Sequence, residues 1–372
     1  MKKIKSLVAI IAAITLTLSF TACHQKGEIA AKVTDKKSKT TAQLTSAEYL
    51  YALTLATMEA QQNITTANSD KETIKDFSKY KVVETNDEGK EVKTEYYKWI
   101  DNRKEELLKN LAGVKIQKET LKLELDENQD STAEYYANME WQYYYGTTYE
   151  KNGVSLETYT DIYKNLNYYK GAYFLSIYDK GGSNPVDEKD ITKKFYNNYV
   201  LANAITIDIA SGESEDESGL TLDQAKDLLK KYKDRLAKGE KFESIYHDYE
   251  EKYMAAEDDG HDHSHDEMAV VYGSDETNEA SEFFDAINKL STGDVKILTA
   301  EDKSQIILVE KQDIKKDKDQ YKAYRESVIY LLKGNEFEAD FEDFCKGLKI
   351  EYIESATKRL KAEKIDLATE QQ

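Results

Sequence analysis

A chain of 372 residues with a single proline, Pro185, contains almost nothing that stops a helix. Proline inside a helix removes a donor and clashes with the turn before it, at a cost of about 3 kcal/mol. Its scarcity points to a mainly helical protein, and the apolar spacing agrees. Leu50, Leu53, Leu55 and Met58 recur at helical spacing from Ser46 to Gln62. Trp99, Ile100, Leu107, Leu108 and Leu111 do the same from Tyr96 to Leu111, and Thr120 to Leu125 continues a helical hairpin. Residues 131–149 predict another helix. Ser155 is placed to cap the next, whose stripe is Leu156, Tyr159, Tyr163, Leu166, Tyr169, Tyr173 and Ile177. Residues 63–92 are polar, contain glycine and read as a loop or a weakly formed helix.

After Pro185 the pattern changes. Asp187 and Glu188 stand in the first turn of a helix carrying Ile191, Phe195 and Tyr199, where acidic side chains suit the helix dipole. Residues 204–209 alternate in polarity and predict a strand. Thr221 is placed to cap a helix bearing Ala225, Leu228, Leu229, Tyr232 and Leu236, and Gly239 to end it. A short helix over 242–253 follows, then a strand at Val270–Tyr272 and a helix over 281–290. Gln305 to Val309 contains four consecutive apolar residues, which suit a strand buried in a sheet. The tail from Asp317 to Ile365 reads as helix. The expected order over 200–313 is therefore strand, two helices, strand, helix, strand, flanked by helices. The fold class is α+β, mostly helical.

The first residues bear on location. Lys2, Lys3 and Lys5 precede an uncharged run of 14 residues, Leu7 to Phe20, too short to span a bilayer and the right length for a signal-peptide core. Phe20-Thr21-Ala22-Cys23 resembles the lipobox of bacterial lipoproteins, which implies a signal peptide over 1–22 and lipidation of Cys23 by acyl chains such as palmitate. An ordinary secretory peptide cut elsewhere is the alternative. Residues 23–44 are expected to be anchor and linker, with Ala30-Ala31-Lys32-Val33 placed to start a brief strand. The whole chain carries −19. The signal segment holds three lysines and no acid, so its loss takes the charge to −22. A body so acidic is repelled by nucleic acid and by anionic headgroups, which excludes nucleic-acid partners. Acyl chains, at about 0.8 kcal/mol per buried CH₂, overcome that repulsion. With Cys23 lipidated, Cys345 has no partner for an internal disulfide, and its helical setting reads as a buried structural thiol.

Two clusters stand out. Twelve of the 28 tyrosines fall between residues 135 and 178. That is too many at helical spacing for all to be core, and tyrosine gives adaptable contact area at low entropic cost. A groove for unfolded chains is one reading, and helix packing accounts for the other half. The second cluster is His261, His263 and His265, interleaved with carboxylates in an acidic loop over 255–267. Imidazole and carboxylate donors suit zinc, copper or nickel. Without an apolar shell to hold one geometry, such a loop takes up adventitious zinc, and no cofactor is required. His247 reads as a surface helix residue.

Several stretches together resemble the parvulin-type extracytoplasmic foldase lipoproteins, PrsA-like and SurA-like. Residues 185–199 resemble the helix leading into a parvulin domain, and 199–209 its first strand. Residues 225–249, with Lys238-Gly239-Glu240-Lys241-Phe242, resemble its two-helix unit. Residues 283–295 resemble the next helix and its exit, and 303–310 the closing strand. The resemblance implies a helical chaperone domain over 45–198, a parvulin-like domain over 199–313 and C-terminal helices over 314–372 that pack on the first. It implies a membrane-anchored chaperone or foldase whose partners are unfolded or nascent secreted proteins.

It also implies a peptidyl-prolyl isomerase site with a histidine pair on the first and last strands. The corresponding positions here hold Ala204 and Gln305. Only Gln305 can hydrogen-bond through its side chain, so isomerase activity is expected to be weak or absent. Met268, Tyr272 and Phe284 are candidates to line a peptide pocket, with core packing as the alternative for each. The rival function is a metal- or solute-binding surface lipoprotein using the histidine loop. It is disfavoured because repeated βα units are missing. An inert structural or adhesive surface protein is a third reading.

Overall fold

The computed structural model describes residues 27–68, 74–86, 89–209, 220–254 and 268–367. They divide into two compact units. One takes the chain up to Ile177 and again from Asn335; the other is Tyr178–Gly334. Among the described residues no helix is long and apolar enough to cross a membrane.

The first unit opens on strands. β1 (Ile29–Thr34) and β2 (Thr41–Thr45) form an antiparallel hairpin in which Ala30, Ala31, Val33 and Leu44 are fully buried. The brief strand expected at Ala30–Val33 is β1, and a hairpin partner extends structure through the stretch expected to be linker: Ala31 with Val33, and Ala42 with Leu44, alternate onto the inner face. α1 (Ser46–Ala67) starts from a capping box. The Glu48 N–H donates to Thr45 Oγ1 at 3.2 Å, and the Thr45 N–H donates to Glu48 Oε2 at 2.8 Å.

A second antiparallel hairpin, β3 (Lys81–Thr85) and β4 (Glu91–Glu95), occupies part of the stretch expected to be loop. Val82 is its buried residue, which explains why its apolar signal is weak. α2 (Tyr96–Leu121) is one helix where a helix and a hairpin were expected, ended by Lys122 in the left-handed conformation. α3 (Glu127–Glu140), a π-helical turn at Trp141–Tyr145 and α4 (Gly146–Lys151) replace the single helix expected over 131–149. α5 (Leu156–Tyr163) is capped by Ser155 as expected, and a second π-helical turn, Lys164–Tyr169, leads into α6 (Lys170–Tyr178).

The second unit begins with α7 (Glu188–Asn198), capped by Asp187. β5 (Tyr199–Asp208) follows, then α8 (Leu222–Ala237) with a Thr221–Gln224 capping box. Gly239 takes φ +91° after α8, a conformation that favours glycine. α9 (Phe242–Tyr249) runs into a π-helical turn, Glu250–Met254. β6 (Ala269–Gly273), α10 (Phe284–Asn288), β7 (Val295–Thr299) and β8 (Gln305–Lys311) complete the unit. β7 is an addition to the expected order. The four strands form one antiparallel sheet in the order β6-β5-β8-β7.

Alternation along β5 and β8 builds two cores. Ile205, Ile207, Ile306 and Leu308 pack under α8 and α9, against Leu229, Tyr232, Phe242 and Ile245. Ala202, Ala204, Ile307 and Val309 point the other way, against Tyr272, Phe283, Phe284 and Ile287. Both faces are covered, which is why residues 306–309 are all apolar.

α11 (Lys318–Lys346) spans the division between the units. The boundaries fall at Tyr178 and Gly334 instead of 198 and 313 because α7 and the start of α11 share contacts with the strand-bearing unit. Tyr321 and Tyr324 pack on Phe195 and Tyr199, with ring centroids of Tyr199 and Tyr324 4.9 Å apart. Arg325 pairs with Asp179 and with Glu188. The rest of α11 belongs to the first unit, where Phe337, Phe341 and Cys345 are buried. β9 (Lys349–Tyr352) then pairs antiparallel with β1, giving the sheet order β2-β1-β9. The expected all-helical tail is thus interrupted by a strand, before α12 (Glu354–Thr357). Asn152 pins the end of the described chain: its Nδ2 donates to the Asp366 carbonyl, and its Oδ1 accepts from the Asp366 N–H, both at 2.9 Å.

Candidate functional site

In the first unit α3 has two contrasting faces. Ala133 and Ala137 are fully buried, and Trp141 follows them on the inner side. Tyr135, Tyr136 and Met139 are exposed. From Ala133 to Ala137 to Trp141 the inner face advances by four residues, as an α-helix requires. The next buried position is Gly146, five residues on. The Gly146 N–H donates to the Trp141 carbonyl, closing the π-helical turn. Tyr143, four residues after Met139, keeps to the outer face, and the extra residue turns Tyr144, seven after Ala137, outward as well; they are 71% and 76% exposed. Gly146 is required here, because a Cβ would overlap the Trp141 carbonyl and lie 2.7 Å from the indole nitrogen.

Behind this surface lies a packed aromatic core. Tyr149 stacks on Tyr51 with centroids 5.1 Å apart, and Tyr159 lies 5.5 Å from Tyr149. The Tyr159 hydroxyl donates to Glu140 at 2.6 Å, and Lys164 bridges Asp130 and Glu134 at 2.7 and 2.8 Å, tying α3 to the helices beneath it. Burial pushes the Tyr51 phenol up to about 12, and pushes the Tyr149 and Tyr159 phenols up as well, Tyr159 further by its bond to Glu140. The tyrosine-rich stretch therefore separates as composition implied: Tyr149 and Tyr159 are core, while Tyr135, Tyr136, Tyr143 and Tyr144 are presented to solvent. Met139, which extends the exposed surface, and the π-helical turn were missed by sequence reasoning. The turn's one signal is a glycine directly after three tyrosines.

The second unit disperses the other candidates. Ala204 lies on β5 opposite Val309, and Gln305 lies opposite Asp208, to which its Nε2 donates at 2.9 Å. They share a sheet face but stand four rungs apart. Ala204 is buried, in the core that also holds Tyr272 and Phe284, whereas Thr206 and Asp208, further along, are exposed. Tyr272 and Phe284 pack together in the core at 7% and 8% exposure. Burial lifts the Tyr272 phenol to about 12. Met268 packs on the opposite side of the sheet, against the core beneath α8 and α9, so it shares no pocket with them. Phe284 does reach the rim of an acidic cleft with Asp275, Glu276, Glu282, Asp285, Glu301 and Asp302.

Cys23 and the histidines His261, His263 and His265 lie outside the described residues. His247 is an exposed side chain on α9, as expected. Among the described residues no cluster of histidine, cysteine and carboxylate side chains could hold a metal. Cys345 is buried against Gly113, and burial raises its thiol to about 12.

No family model matches the chain, and no curated protein matches it. Among solved structures, it is similar to the foldase protein PrsA from Streptococcus pneumoniae, with 19% identity and a TM-score of 0.40 over 71% of this chain and 92% of that one. It is also similar to PrsA from Bacillus subtilis, with 15% identity and a TM-score of 0.33 over 70% and 90%.

Proposed function

We propose that this chain is an extracytoplasmic chaperone, held to the outer membrane face by lipid on Cys23, that binds unfolded secreted polypeptides through the tyrosine surface of α3 and the π-helical turn after it. The carrying observation is the exposure of Tyr135, Tyr136, Met139, Tyr143 and Tyr144 together along this one segment. Soluble proteins rarely leave contiguous apolar area uncovered unless something binds it. Amphipathic rings suit clients of varied sequence, since they pack on apolar residues and hydrogen-bond to backbone alike.

The second unit, in this reading, is a parvulin-like module that has lost the polar half of an isomerase site. The Ala204 side chain, which can neither donate nor accept a hydrogen bond where the resemblance expects a histidine, supports that view. Zinc uptake by His261, His263 and His265 is incidental and needed for no step.

The test is suppression of aggregation of a chemically unfolded client. Replacing Tyr136, Tyr143 and Tyr144 together by serine is expected to remove most of the suppression with little change in thermal stability, since none of the three is buried. Full suppression by the triple variant would refute the assignment of the surface. The anchor is tested separately. Cys23→Ala is expected to shift the protein from the membrane fraction to the soluble fraction, and unchanged fractionation would refute the lipid tether.

A further inference from the structure

The exposed rings sit in a segment whose charge is entirely of one sign. Between Leu123 and Glu150 there are seven carboxylates (Glu124, Asp126, Glu127, Asp130, Glu134, Glu140 and Glu150) and no lysine or arginine. Among the described residues, the one ammonium brought in from outside by a direct pair is that of Lys164, already engaged by Asp130 and Glu134. Glu140 is engaged by Tyr159, but a neutral hydroxyl leaves its charge in place. Glu124, Glu127 and Glu150 are exposed, as is Glu134 beside Tyr135.

Tyrosine faces attract cations through the ring quadrupole, and carboxylates do so by charge. An anionic segment laid on this surface would meet repulsion from every side chain that carries charge in it. We infer that the surface selects unfolded segments in which lysine or arginine alternates with apolar residues, the apolar side chains packing on the rings and the cations reaching the flanking carboxylates. This rests on the reading that the tyrosine surface is where clients bind.

The experiment uses the full chain and one labelled unfolded peptide in three versions, with lysine, glutamate or serine at the same positions between leucines. Binding is followed by fluorescence anisotropy at low and high salt. The lysine version is expected to bind about tenfold more tightly than the serine version at low salt, the scale of a few exposed cation–π and ion-pair contacts. The advantage should shrink as salt shortens the Debye length. Neutralising the segment by Glu127→Gln, Glu134→Gln and Glu150→Gln should cut the lysine advantage to about threefold.

If the serine peptide binds and loses binding in the Tyr136, Tyr143 and Tyr144 serine variant, the client surface stands whatever the charge preference. Equal affinity for the lysine and glutamate versions, or a preference untouched by the glutamine variant, then overturns the selectivity alone. If the serine peptide binds undiminished in the serine variant, both fall. Self-association that covers the rings, seen as peptide affinity falling with protein concentration, would also overturn it.

Discussion

Gly146 and Trp141 are locked together: the Gly146 N–H donates to the Trp141 carbonyl across a π-helical step, and the glycine leaves no room for a side chain between that carbonyl and the indole ring. The step sets which way Tyr144 faces, since seven residues after buried Ala137 an uninterrupted helix would turn it inward. Gly146→Ala in an ordinary helix would gain about 1 kcal/mol from backbone entropy. Here the methyl must displace backbone and indole, and overpacking of that kind costs about 1–3 kcal/mol. The expected result is a net loss of stability in urea unfolding together with weaker suppression of aggregation, because relaxing the π step rotates Tyr144. A more stable variant with full suppression would break the proposed link between the turn and the surface.

The buried phenols make alkaline pH a probe of the fold. A phenol whose folded pKa is raised contributes stability that is fully present below its unfolded value near 10 and is lost as pH climbs toward the folded value. Tyr51 in the first unit, and Tyr199, Tyr249 and Tyr272 in the second, are each raised to about 12, with burial the largest cause. Stability should be flat in this respect below pH 10 and fall between pH 10 and about 12. In a pH titration the ultraviolet phenolate band should show an exposed class near the ordinary value and a second class that rises only with loss of near-ultraviolet circular dichroism. One smooth titration with the fold intact would contradict the burial of these side chains.

Cys345 should behave as a core residue. It is 3% exposed, its thiol is raised to about 12, and a Cβ at Gly113 would lie 2.7 Å from its sulfur. In a Cys23→Ser background, a thiol reagent should label Cys345 only as fast as the first unit opens, because the reactive thiolate is scarce and shielded. Gly113→Ala should destabilise by about 1–3 kcal/mol and speed that labelling. Rapid stoichiometric labelling under native conditions would show that the site is open.

What the sequence disclosed, and what it hid, follows from the reach of each signal. Ser155 and Thr221 announce their helices because a cap acts within three residues. Gln305 to Val309 announces a strand because both faces of the sheet are covered. β9 gives no such sign. Its four residues bury little, and its partner, β1, lies more than 300 residues earlier in the chain. The tyrosines of α3 and the turn after it fit core and surface equally well in the sequence: Tyr135 and Tyr136 are presented by the ordinary phase of α3, but the outward turn of Tyr144 depends on the π-helical step, a backbone property. The pairing of β5 with β8 was hidden for a related reason. Alternation shows which face a residue takes but not its rung, and register places Gln305 beside Asp208 and Ala204 beside Val309.

That register carries the last prediction. Rotation about a prolyl bond crosses a barrier of about 18–20 kcal/mol, and a site lowers it only by favouring the twisted amide. In the second unit the Ala204 side chain offers no polar atom, and Gln305, four rungs away, is held by Asp208. Tyr272 and Phe284 are core, with Met268 on the other side of the sheet. In a proline-containing peptide assay the protein should therefore leave the uncatalysed exchange, roughly tens to hundreds of seconds, little changed. Gln305→Ala should alter neither that rate nor aggregation suppression. Gln305→His should also leave it unchanged, because an imidazole there would face Asp208 and not a partner at 204. Strong acceleration by the parent protein, lost in Gln305→Ala, would show that this sheet face catalyses isomerisation without a histidine pair.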